Sequence, residues 1–92
     1  MVRLSNFLNV IQHDPRVGPS HISLYVALIG LWYERGCKIP ILVKRSEIMP
    51  LAKIGGASTY HKVLKDLVEI GCFRYEPGFD RKGSRFYLKE WA

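Results

Sequence analysis

Ala57-Ser58-Thr59-Tyr60-His61-Lys62-Val63-Leu64-Lys65-Asp66-Leu67-Val68-Glu69-Ile70-Gly71 is the stretch on which the rest of the chain depends. At the helical advance of about 100° per residue, Tyr60, Val63, Leu64, Leu67, Val68 and Ile70 gather on one side. Ser58, Lys62, Lys65 and Glu69 gather on the other, with no apolar residue among them. The spacing predicts an amphipathic helix over 58–70, opened by Ser58 or Ala57 after Gly55-Gly56. Gly71 would close it in the left-handed conformation that glycine adopts without steric cost. The polar side is itself graded: hydroxyls, an imidazole and two amines come first, and the acids Asp66 and Glu69 follow. A helix with that gradient suits a polyanion at its N-terminal end.

Working outward toward the C-terminus, Cys72 to Glu76 and Ser84 to Lys89 both alternate apolar with polar residues, and Pro77 to Gly83 supplies turn chemistry between them. This predicts a β-hairpin with strands at 72–76 and 84–89 and a loop longer than the tight two-residue form. Phe73, Tyr75, Phe86 and Leu88 would face the helices, with Arg74, Arg85 and Lys89 outward. Toward the N-terminus, Ile48, Leu51 and Ala52 place a short helix at 46–54, with a kink expected at Pro50. Ile41-Leu42-Val43 reads as a brief strand. A longer helix at 20–35 opens with Pro19 in its first turn and Ser20 as cap, and Leu4, Phe7, Leu8 and Ile11 predict a first helix at 5–13. The 20–35 helix is apolar nearly all round, so it is central or has a partner on its far side. Phe7, Ile11, Trp32 and Tyr33 are assigned to the core. The surplus apolar surface points to a symmetric homodimer through the first two helices.

Ninety-two residues, 48% of them hydrophobic and 12% aromatic, suffice for one domain spanning 1–92 with one core. The fold class is α+β, mainly α. Fourteen Lys and Arg against eight Asp and Glu give a net charge of +6, and ten of those basic residues, against six acidic ones, lie from Lys44 onward. That balance favours an acidic partner. Cys37 and Cys72 are too distant for a zinc pair and too few for a disulfide framework, and read as reduced, small apolar residues. The N-terminus lacks the pattern of a secretory signal, and the longest apolar run falls short of the ~20 residues that cross a bilayer. A cytoplasmic protein without membrane contact is the expectation. Nothing suggests an enzyme: His13, His21 and His61 lack ligand spacing, no Ser or Cys stands in a nucleophile elbow, and Gly55-Gly56 is not a phosphate loop. No cofactor or metal is expected.

Helix, helix, short strand, short helix, glycine-containing turn, amphipathic helix and basic hairpin follow in the order of a winged helix-turn-helix domain, which the sequence resembles over nearly its whole length. The residues that carry the resemblance are Ala52 with Gly56 four positions on, the turn Ile54-Gly55-Gly56, the helix from Ser58 to Ile70, and the hairpin from Phe73 to Leu88. Gly56 stands where such motifs want a residue free to take positive φ. Lys62 departs from the motif, which has an apolar residue near that position. Ile22 to Tyr33 followed by Ser58-Thr59-Tyr60-His61-Lys62 also looks like small regulators of bacterial mobile elements. The resemblance implies double-stranded DNA as partner, with the 58–70 helix in the major groove and the hairpin tip against the flanking backbone. It implies Ser58, Thr59, His61, Lys62 and Lys65 at the groove, and Arg45, Arg81, Lys82 and Arg85 at the backbone. The role would be transcriptional regulation, or an accessory part in recombination or replication. The rival is a protein–protein interaction module on the same scaffold. Single-stranded nucleic acid is a third reading, for which Phe79 and Tyr87 are the stacking candidates.

Overall fold

The computed structural model describes residues 4–78 and 83–89. Four helices and three strands follow one another: α1 (Leu4–Ile11), α2 (Pro19–Glu34), β1 (Ile41–Val43), α3 (Arg45–Ala52), α4 (Ala57–Ile70), β2 (Phe73–Glu76) and β3 (Ser84–Leu88). The fold is α+β and mainly helical, as the sequence predicts. The strands form one antiparallel sheet in the order β1-β3-β2.

Helix α2 begins one residue earlier than expected. Gly18, not Ser20, is its N-cap, and Pro19 takes the first helical position, where its missing N–H leaves no ladder bond unmade. His21 completes the start by accepting the Gly18 N–H on Nδ1 at 3.0 Å, the part that a glutamate plays in a capping box. From there Leu24, Tyr25, Leu28 and Leu31 turn into the core, and Phe7 of α1 stacks flat on Tyr25 with ring centroids 3.9 Å apart. Tyr33, expected in the core, is instead 74% exposed, because it lies nearly opposite the Leu24–Leu28–Leu31 face. Cys37 is likewise exposed, while Cys72 is buried and its thiol is pushed up to about 11 by that burial.

Arg35, the C-cap of α2, ties three elements together: its guanidinium donates to the Leu42 carbonyl of β1 and to the Glu47 carboxylate of α3. Glu47 also accepts the Lys44 N–H at 3.0 Å, and that bond holds its carboxyl below the ordinary value. Helix α3 runs through Pro50 as one element and packs on α2, with the Ser23 hydroxyl donating to the Ala52 carbonyl at 2.7 Å.

The turn into α4 differs from the expectation. Gly56 has φ −111° and serves as the N-cap of α4, while Lys53 takes the left-handed conformation at φ 58°. The Ile54 N–H bonds back to the Met49 carbonyl, which closes α3 in a Schellman arrangement and carries Ile54 into the core. Burial of Ile54 thus sets where the chain reverses. Tyr60, Val63, Leu64 and Leu67 of α4 are buried against α2 and the sheet, Val68 stays at the exposed rim, and Gly71 ends the helix at φ 94° as predicted. On the inner face of the sheet Phe73 and Phe86 meet edge-on at 5.3 Å, beside Leu88 and Tyr75.

Candidate functional site

Helix α4 starts with no side-chain cap, so the N–H groups of its first turn point outward from Gly56-Ala57-Ser58. The five α4 residues singled out by sequence, Ser58, Thr59, His61, Lys62 and Lys65, are all exposed. Ser58, Lys62 and Lys65 form the centre of the row. His61 and Thr59 lie on its two flanks, about 160° apart around the helix axis.

The acids of α4 are drawn off this row. Asp66 leans toward the start of α2, where its carboxylate accepts from His21 Nε2 at 2.8 Å. His21 Nδ1 already accepts the Gly18 N–H, so the imidazole proton sits on Nε2, facing Asp66. That hydrogen bond, ahead of the nearby Lys62 charge, holds the Asp66 carboxyl below its ordinary value. Lys62 Nζ lies 3.6 Å from the same carboxylate, but its side chain is 74% exposed. Glu69 pairs at 2.9 Å with Arg16, which also grips Asp14. Lys65 has no ion-pair partner among the described residues.

The His61 flank opens into a cleft of about 320 Å³ between α3, α4 and the base of the hairpin. Lys44 and Arg45 wall it on one side, Tyr60 and His61 on another, and Tyr75 and Ser84 on the third. Arg45 therefore shares one concavity with His61. Lys44 joins them although the sequence reading passed it over; its only signal was adjacency to Arg45. The hairpin wall is fixed by Gly83, at φ 99°, where a Cβ would fall 2.6 Å from the Val43 carbonyl oxygen. Tyr75 and Ser84 hydroxyls meet at 3.0 Å, and Ser84 also takes the Gly78 N–H. Tyr60 is largely enclosed, and that burial raises its phenol to about 12.

Arg85 is placed elsewhere. It follows Ser84 on β3 and so points to the outer face of the sheet, where it lies 3.7 Å from Glu76. Tyr87 shares that face, covered by the Arg74 guanidinium at 4.1 Å. Arg81, Lys82 and Phe79 lie outside the described residues. Among the described residues no three His, Cys, Asp or Glu side chains come together to hold a metal ion, and no helix is long and apolar enough to cross a membrane.

The chain matches no family model, no curated protein and no solved structure. What fold and site define together is a small, mainly helical α+β domain. An uncapped helix start and its amine row stand beside a cationic cleft at the base of a hairpin.

Proposed function

We propose that this protein is a winged helix-turn-helix domain that binds double-stranded DNA, as a transcriptional regulator or as an accessory factor in recombination or replication. The observation that carries the reading is the cleft. Lys44 and Arg45 stand across from His61, on the flank of the row that holds Lys62 and Lys65. In this reading α3 and α4 are the helix-turn-helix pair and α4 enters the major groove. Ser58, Thr59, Lys62 and Lys65 meet base edges, and Lys can donate to guanine O6 and N7. Lys44 and Arg45 take backbone phosphates as the duplex runs past the cleft, the role that the sequence also assigns to Arg81 and Lys82. Arg85, on the outer face of the sheet, has the smallest part. Withdrawal of Asp66 and Glu69 into pairs supports the reading, since an unpaired carboxylate in the row would repel phosphate.

Titration of labelled duplex fragments by fluorescence polarisation tests it. Neutralising ~4 to 6 phosphates makes affinity fall steeply with salt, and reversing both amines in Lys62→Glu/Lys65→Glu weakens binding roughly ten- to hundred-fold. The circular dichroism of that variant stays that of the wild type. Absent or salt-insensitive binding, or normal binding by the double variant, overturns the assignment.

A further inference from the structure

Helix α2 carries a second surface that the cleft does not use and that touches the core at Ile29. Ile22, Val26, Ile29 and Tyr33 recur at intervals of four, three and four, which puts them in a single stripe along the helix. The stripe lies more than 90° from the Leu24–Leu28–Leu31 face; Val26 is 48% exposed, Tyr33 74%, and Ile29 is half-buried. Beside it runs a groove of about 320 Å³, with Ser23, Val26, Ala27, Gly30 and Glu34 of α2 on one side and Leu51 of α3 on the other. Leu51 is itself 56% exposed. A four-three-four apolar seam is what helices present to one another, and isolated on the surface of so small a domain it loses the stabilisation that burial would bring.

We infer that this seam pairs with the same seam of a second copy, α2 against α2 and antiparallel, about a two-fold axis near Ala27. The pairing is self-complementary: Ile22 faces the other copy's Tyr33, and Val26 its Ile29. Charge selects this occupant and this direction. Glu34 lines the groove at the C-terminal end of α2 and has no ion-pair partner among the described residues. Lys53 follows Ala52, whose carbonyl accepts from the Ser23 hydroxyl, so the end of α3 that carries it lies at the first third of α2, toward the opposite end. Lys53 likewise lacks an ion-pair partner among the described residues. Antiparallel pairing brings each copy's Glu34 to the level of the other's Lys53, on the same flank of the interface. Parallel pairing leaves each Glu34 and the other copy's Lys53 at opposite ends and on opposite flanks, so the charges do not meet. The arrangement refines the dimer expected from sequence: the seam belongs to α2 and the α2–α3 groove, whereas Phe7 of α1 is turned inward onto Tyr25. It does not depend on the DNA reading.

Sedimentation equilibrium of the full chain across the micromolar range tests it, with Val26→Glu, Gly30→Gln and the Glu34/Lys53 charge swap as variants. Gly30→Gln is the variant that spares the fold, since a Cβ there meets nothing within 4 Å and glutamine is the better helix former. The wild type sediments at twice 10.6 kDa, while Val26→Glu and Gly30→Gln halve that mass and keep the wild-type circular dichroism. Glu34→Lys weakens the dimer several-fold, and adding Lys53→Glu restores it. A wild type that stays at 10.6 kDa, a dimer that survives both Val26→Glu and Gly30→Gln, or a charge swap without rescue overturns the inference.

Discussion

Helices α2 and α4 pack on each other and have similar lengths, 16 and 14 residues, yet they divide their surfaces in opposite ways. On α4 the buried side is wholly apolar but for the tyrosine hydroxyl, and the outward side is polar except at the rim residue Val68. On α2 a histidine is buried and a row of large apolar side chains faces out. A helix like α4 is satisfied by its own domain plus water or a polar partner. A helix like α2 is satisfied only when a second apolar surface arrives. The contrast separates two tasks within one small fold, and a polar contact, His21 with Asp66, joins the two helices.

The strongest way to break the comparison is to cut into the inner side of α4. Leu67 has no exposed surface, and Leu67→Ala is expected to cost about 3 kcal/mol of unfolding free energy through lost burial and the cavity left behind. Val68→Ala, one residue on and at the rim, is expected to cost about 0.5 kcal/mol. Urea denaturation of the two variants gives the difference directly. Equal costs would mean that α4 does not have the two-sided character described.

Next in size is the contact between the helices. His21→Ala removes the acceptor for the Gly18 N–H and leaves the Asp66 carboxylate half-enclosed without its hydrogen-bond donor, with only the charges of Lys62 and Arg16 near it, for an expected loss of about 2 kcal/mol near neutral pH. The sign of its pH dependence follows from Asp66. A carboxyl whose folded value is depressed stabilises fully above its unfolded value, here 3.8, and that contribution is lost as pH falls through the folded value. The gap between wild type and His21→Ala should therefore narrow below pH 3.8, as read from thermal melts along a pH series. A gap that widens there would assign the stabilisation to something other than the Asp66 carboxylate.

Much of this architecture is legible in the sequence because its signals are local. The β-branched ends of Ile41-Leu42-Val43 place β1 to the residue, the period of α4 marks its buried face, and Gly71 supplies the left-handed cap. The failures are failures of long-range information. Gly55-Gly56 advertises conformational freedom, but the left-handed residue is Lys53, because the core pulls Ile54 inward and the chain must turn before it. Tyr33 looks like core by composition, and only the position of α3 and α4 around α2 shows that its side is vacant. His21 lacks ligand spacing in sequence, yet it caps one helix and holds another, with partners three and 45 residues away. In the candidate site the α4 row is legible from periodicity alone. Its junction with Lys44 and Arg45 is not, since it depends on β1 pairing with β3 and bringing the base of the hairpin beside α3.

The smallest expected effect sharpens the comparison most. Lys62 has an apparent structural partner in Asp66, four residues on and 3.6 Å away. That pair adds little to the fold for three reasons. The lysine side chain is 74% exposed and its charge is screened, lysine before aspartate is the less favourable order along a helix, and Asp66 is already bound by His21. Lys62→Ala should therefore change unfolding free energy by less than about 0.5 kcal/mol. If the outer side of α4 serves a polyanion, the same substitution lowers affinity for duplex DNA by roughly ten-fold and flattens its salt dependence by about one phosphate. Denaturation and binding measured on the one variant thus pull apart. A Lys62→Ala protein that loses more than about 1 kcal/mol of stability would show that this lysine belongs to the fold and that the outer side of α4 is not free for a partner.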